Sequence, residues 1–266
     1  MTQSTIPDSV KPLLEAYLNH VQTELPGFAA ALYLHGSIAL DAFDIRHSDI
    51  DFIMIISRPC TADDLQHLKQ IHQAVAREYP RWMLEGSYIQ WSDLGKLEAD
   101  IAPHPHWHDG TFDAAQTNDI NAVTWWLLKT SGITLLGPQP AELDFSIAWE
   151  QVVVYMHQNL NTYWASWTKS PDKIVRLLTD SGIEWAVLSI LRLYYSLIEH
   201  TITSKVGAGE YGLTHLPERW HCLIREALNI RNEVHGSIYR SRITRTIEAV
   251  AFLKYVIQSC NSLPLS

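Results

Sequence analysis

The sequence predicts a two-domain α+β protein, and three observations carry that prediction. Strand-like and helix-like patterns alternate over residues 1–140, whereas 141–266 carries helical patterns alone. Between the two lies Gly137-Pro138-Gln139-Pro140. Such a cluster interrupts regular structure, because proline lacks a backbone N–H and glycine is costly to order. The charge balance also changes there, with 8 basic and 17 acidic residues before residue 141 and 12 of each from it onward. Domains of 1–140 and 141–266 are therefore expected.

The elements follow in order. Ser9 to Glu24 places Val10, Leu13, Leu14, Tyr17, Leu18 and Val21 at helical spacing. Ala29 to Leu34 is a short apolar run that stops at His35-Gly36-Ser37, as a buried strand entering a turn does. Asp49 to Ser57, rich in isoleucine, predicts a second strand. Thr61 to Tyr79 predicts a helix with Thr61 as N-cap and Asp63 and Asp64 in its first turn. Trp82 to Trp91 predicts a third strand. This order is an α/β or α+β pattern. Beyond it, Leu143–Trp167, Lys173–Thr179, Ile183–Ser204, Leu216–Arg231 and Thr244–Cys260 are expected as helices.

Composition narrows the function. The 266 residues include 20 Lys+Arg and 29 Asp+Glu, a net charge of −9, with 47% apolar and 18% charged residues. That excludes a disordered, collagen-like or coiled-coil chain. The acidic balance argues against a nucleic-acid partner and favours a cationic one. The three cysteines, Cys60, Cys222 and Cys260, are odd in number and far apart, so free thiols in a reducing compartment are expected. The stretch MTQSTIPDSVKP lacks a basic run followed by an apolar one, and no apolar run approaches bilayer length. A cytoplasmic protein with no membrane partner is expected.

The chemistry concentrates in His35-Gly36-Ser37, followed eleven residues after Ser37 by Ser48-Asp49-Ile50-Asp51. Alternate residues of a strand share a face, so Asp49 and Asp51 project together while Ile50 enters the core. Adjacent carboxylates repel unless a cation separates them, and a hard divalent ion shared with substrate phosphates is the usual solution. Gly36 and Ser37 offer backbone N–H groups and a hydroxyl for a phosphate. Glu85, on the third strand, converges on the aspartates if the second and third strands are neighbours. Three carboxylates permit two metals or a general base.

Gly-Ser, a spacer of about ten residues and Asp-x-Asp opening an apolar strand resemble the signature of the polymerase-β-like nucleotidyltransferases. His35-Gly36-Ser37…His47-Ser48-Asp49-Ile50-Asp51 resembles more closely the aminoglycoside nucleotidyltransferases of the streptomycin/spectinomycin branch. Leu135-Leu136-Gly137-Pro138, Leu191-Arg192-Leu193-Tyr194-Tyr195-Ser196 and Ser204-Lys205 with Tyr211 and Leu216-Pro217 extend the similarity over roughly residues 25–235. The resemblance implies an N-terminal nucleotidyltransferase domain with a small mixed sheet, then an all-α helical bundle. It implies transfer of AMP from ATP to an aminoglycoside hydroxyl by a monomer. It assigns Asp49, Asp51 and Glu85 to two Mg²⁺ ions, and Glu85 also to the base. Gly36, Ser37, Ser48, Arg192 and Lys205 fall to the nucleotide, and Trp107, Asp180 and Glu184 to the antibiotic. Two rival readings are a different acceptor (a lincosamide, a metabolite or a protein hydroxyl) and a non-catalytic nucleotide binder.

The chain departs from the family at His104-Pro105-His106-Trp107-His108-Asp109, where a Gly-Glu-Trp-like run is usual. The alternating His104, His106 and His108 could bind a transition metal, but Pro105 and Trp107 between them argue against regular geometry, and histidines exposed in a loop are expected. Trp125-Trp126 and Tyr194-Tyr195 are expected in packing. Without the resemblance, Arg192 reads as a helix-surface residue, Lys205 as lying where a helix ends, and Arg240, Arg242 and Arg245 as a solvated face.

Overall fold

In the computed structural model, residues 5–97, 100–117 and 119–263 are described. The first four residues of the N-terminal stretch read above lie outside them. The chain divides into two compact units, Met1–Ala148 and Trp149–Ser266.

The first unit is built on a mixed six-stranded sheet. Its elements are α1 (Lys11–Glu24), β1 (Ala29–Leu34), α2 (Gly36–Ala39), β2 (Ile50–Ile56), α3 (Ala62–Glu78), β3 (Leu84–Gln90), β4 (His104–His108), β5 (Thr111–Gln116), α4 (Ala122–Ser131) and β6 (Ile133–Leu136). The strand order is β5-β4-β3-β2-β1-β6. Only β2 and β3 run parallel, joined by the α3 crossover, and every other neighbour is antiparallel.

Strand alternation decides which side chains face the core. Ile50, Phe52, Met54 and Ile56 of β2, with Leu84 and Tyr88 of β3, pack against Leu13, Tyr17 and Val21 of α1 and Leu68, Ile71 and Val75 of α3. The α3 start matches its prediction. Thr61 Oγ1 accepts from the Asp64 N–H at 3.2 Å, and Asp64 Oδ2 accepts from the Thr61 N–H at 2.8 Å. Arg58 forks onto the same carboxylate and holds it below the usual range.

This core contains a polar chain. The hydroxyls of Tyr17 and Tyr88 meet at 2.7 Å, and His72 Nε2 lies 2.6 Å from the Tyr88 hydroxyl. The His72 ring stacks on Trp107 at 4.5 Å and 10°. Trp107, expected at the antibiotic, is thus a core residue that is 6% exposed. The expected exposed loop of histidines is the strand β4, in which His104 and His106 are buried.

The second unit is helical among the described residues. Trp149–Asn159 (α5) runs through a π-helical turn, Leu160–Trp164, into Ala165–Trp167 (α6). Then come α7 (Pro171–Arg176), α8 (Asp180–Glu199), α9 (Lys205–His215), α10 (His221–Arg231) and α11 (Arg242–Asn261). The apolar helix α8 packs against α9, α10 and α11. The expected helix from Leu143 begins only at Trp149. The helix α9 was not expected at all, because Gly207, Gly209 and Gly212 mask it. A Cβ on Gly209 would meet Leu228 at 2.7 Å and Leu188 at 3.0 Å, so the small residues permit close helix contact. Lys205 accordingly opens a helix rather than closing one, with Ser204 as its N-cap.

Arg245, expected on a solvated face, is 1% exposed. Its Nη1 donates to Glu226 at 2.8 Å, and its Nη2 lies 2.7 Å from Asp180. Burial opposes charge on Glu226, yet Ser237, the Ile238 N–H and Arg245 together hold its carboxyl below the ordinary value.

Two stability predictions follow from these buried groups. Burial pushes His72 down to about 3 from 6.5, with His106 adding to the effect. Above pH 6.5 His72 is neutral folded or unfolded, and its contribution is complete. As pH falls toward 3 only the unfolded chain takes up the proton, so stability declines by about 1.4 kcal/mol per unit from this group. Urea melts at pH 6.5 and pH 5 should show that decline, and His72→Gln should flatten it. Separately, Glu226→Ala leaves the Arg245 guanidinium with Asp180 and the Leu178 carbonyl, a loss toward the lower end of the ~3–5 kcal/mol for breaking a buried pair. Thermal melts should show it, and adding Arg245→Met should restore part of it.

Candidate active site

The two-residue alternation that buries the even-numbered side chains of β2 sends Asp51 to the opposite face of the sheet. In the parallel register Asp51 pairs with Glu85 of β3, so these two carboxylates are direct neighbours. The expectation that the second and third strands lie side by side therefore holds. Asp49 is half-buried and precedes β2 by one residue, while Ile50 is anchored by its N–H to the Met83 carbonyl at 2.8 Å.

The turn before the aspartates is shaped around Asp51. Gly36 opens α2 at φ +62°, in the left-handed region. A Cβ there would lie 1.9 Å from Asp51 Oδ2, so the missing side chain makes room for the carboxylate. The His35 N–H donates to the Asp51 carbonyl at 3.1 Å, tying the turn to the strand. Burial lowers the His35 imidazole to about 4, keeping it neutral at pH 7. The Ser37 hydroxyl is buried without a hydrogen-bond partner in the structure. Ser48 is used structurally, its Oγ accepting from the Asp44 N–H at 3.0 Å.

Glu85 is 9% exposed and held from the β4–β5 hairpin. His108 Nδ1 is 2.8 Å from Oε2, and the Asp109 N–H donates to Oε1 at 2.8 Å. A carboxylate only accepts, so the imidazole proton at this contact sits on Nδ1. Among the described residues no group of three or more His, Cys, Asp or Glu side chains is disposed to hold a metal ion. The expected trio of Asp49, Asp51 and Glu85 is therefore not a preformed three-carboxylate centre. Sequence reasoning missed His108, although Asp109-Gly110 is a strong hairpin signal that would have placed it at a strand end.

The remaining expected residues belong to the helical unit. Arg192 Nε donates to the Thr203 carbonyl at 3.0 Å. Glu184 receives Lys205 at 3.2 Å and Arg231 at 3.1 Å, so its charge is already matched. Lys205 also lies 4.7 Å over the Trp185 ring, and burial lowers its pKa against the pull of Glu184. Asp180 binds Arg245.

Residues 160–258 match the family described as the aminoglycoside adenylyltransferase C-terminal domain. The chain is a relative of the aminoglycoside adenylyltransferases. Across its length it is 25% identical over 256 residues to the spectinomycin 9-adenylyltransferase of Campylobacter jejuni, covering 91% of this chain and 92% of that protein. Its fold matches the crystal structure of the spectinomycin adenyltransferase of Enterococcus faecialis with ATP and spectinomycin. The TM-score is 0.69 at 14% identity, over 93% of this chain and 98% of that one. The family resemblance read from the sequence is thus borne out. Asp180, Glu184, Arg192 and Lys205 fall within the matched adenylyltransferase domain, whereas Asp49, Asp51 and Glu85 precede it.

Gly36→Ala tests how tightly the turn is built. The new Cβ must displace Asp51 and holds a non-glycine residue at positive φ, so a loss of about 1–3 kcal/mol is expected. Differential scanning calorimetry should register it as a lowered melting temperature.

Proposed function

We propose that the protein transfers AMP from ATP to a hydroxyl of an aminoglycoside antibiotic, releasing pyrophosphate, with spectinomycin the first candidate acceptor. The observation that carries this reading is the pairing of Asp51 with Glu85 on the sheet face away from the α1–α3 core. Both named relatives are spectinomycin enzymes, which supports the choice of acceptor.

The site suits a hard divalent cation. Its donors are carboxylate oxygens, Gly36 leaves room beside Asp51, and the buried Ser37 hydroxyl is available to an oxygen ligand. Asp49 and Asp51 would hold Mg²⁺. Bound there, the ion would neutralise charge developing on the transferred phosphoryl group. Glu85 takes the proton of the attacking hydroxyl, with its carboxylate oriented by the hairpin contacts. Gly36 and Ser37 border the phosphates. The family resemblance assigns Arg192 and Lys205 to the leaving pyrophosphate, whose developing charge cationic groups would offset. The acidic balance of the first 140 residues favours a polycationic acceptor. A cytoplasmic monomer, where ATP is abundant, fits this activity.

The test is pyrophosphate release by purified protein with ATP, MgCl₂ and spectinomycin or streptomycin. Turnover is expected with spectinomycin, and Asp51→Asn or Glu85→Gln should each lower kcat by at least ~10²-fold. A folded protein that is stabilised by ATP yet silent with both drugs overturns the proposal.

A further inference from the structure

We propose that His108 is a positioning residue for Glu85, holding its carboxylate in the orientation needed to accept the acceptor proton. The inference rests on the adenylyl-transfer reading above and adds to it a residue from the stretch where the chain departs from its family.

The hairpin β4–β5 is built to deliver two donors to one carboxylate. Asp109 and Gly110 both have positive φ, +48° and +69°, which closes the turn between His108 and Thr111. That turn presents the Asp109 N–H to Oε1 while His108 Nδ1 reaches Oε2, both at 2.8 Å. Each oxygen keeps a second lone pair for a substrate hydroxyl.

The strand carrying His108 is fixed on both of its faces. On the core side Trp107 stacks on His72. On the other side His106 Nδ1 lies 2.9 Å from the Ser87 hydroxyl, and its Nε2 lies 3.1 Å from Asp119. Ser87 is two residues after Glu85 on β3, so the β3–β4 pairing is locked one pleat from the proposed base. The His108 side chain, by contrast, is 66% exposed. A side chain this exposed buries little surface, so folding alone gives weak reason for this contact.

The experiment compares kcat, the KM for ATP and the KM for spectinomycin in wild type, His108→Ala and His108→Asn, with melting temperature as the folding control. His108→Ala should lower kcat on the order of 10–100-fold with both KM values within about twofold, since a misaligned base slows chemistry rather than binding. Its melting temperature should stay within about 3 °C of wild type. Asn can donate from nearly the same point as Nδ1, so His108→Asn should recover most of the loss. A His108→Ala kcat within twofold of wild type overturns the positioning role alone. So does equal impairment of the Ala and Asn variants. An inactive wild type overturns the adenylyl-transfer reading, and this inference with it.

Discussion

The parallel pairing of β2 with β3 is the constraint on which the first unit depends. Its register puts Ile50, Phe52 and Met54 into the core and Asp51 beside Glu85 on the other face. A slip of one residue would carry Asp51 into the α1–α3 core in place of Ile50 or Phe52, so the packing that seats these apolar side chains also positions the acid. Gly36 completes the arrangement, because the loop after β1 must pass against Asp51 and only a residue without Cβ can do so.

The core behind that pair is polar where it is deepest. Tyr17, Tyr88 and His72 satisfy one another in sequence, and His72 spreads against Trp107. The network joins α1, α3, β3 and β4 in one packed group, so the strand that carries His106 and His108 is tied to the opposite face. In the helical unit the buried Arg245–Glu226 pair has a comparable role, linking α11 to α10. Both cases illustrate that buried polar groups persist where each finds a partner.

Much of the first unit was legible because its signals are local. The Thr61 cap, the apolar runs of β1 and β2 and the spacing of α1 each arise from neighbours in sequence. The β4–β5 hairpin was not read, since histidines and Pro105 disguise the β4 strand and the Asp109-Gly110 turn was overlooked. Helix α9 escaped because its glycines are disfavoured locally and justified only by the leucines of α8 and α10. Trp107 was assigned by resemblance, and strand parity placed it on the core face. The family relationship itself rested on short motifs, which backbone and side-chain chemistry tie to particular positions.

The succession of α1, β1, β2, α3 and β3 and the kinship with the adenylyltransferases were legible in the sequence alone, because each depends on residues close together in the chain. Tertiary structure decided that Glu85 answers to His108 and the Asp109 N–H, that Glu184 is neutralised by Lys205 and Arg231, and that Arg245 is buried. Those outcomes depend on contacts between residues tens of positions apart, and periodicity within one segment carries no information about which distant partner will meet it.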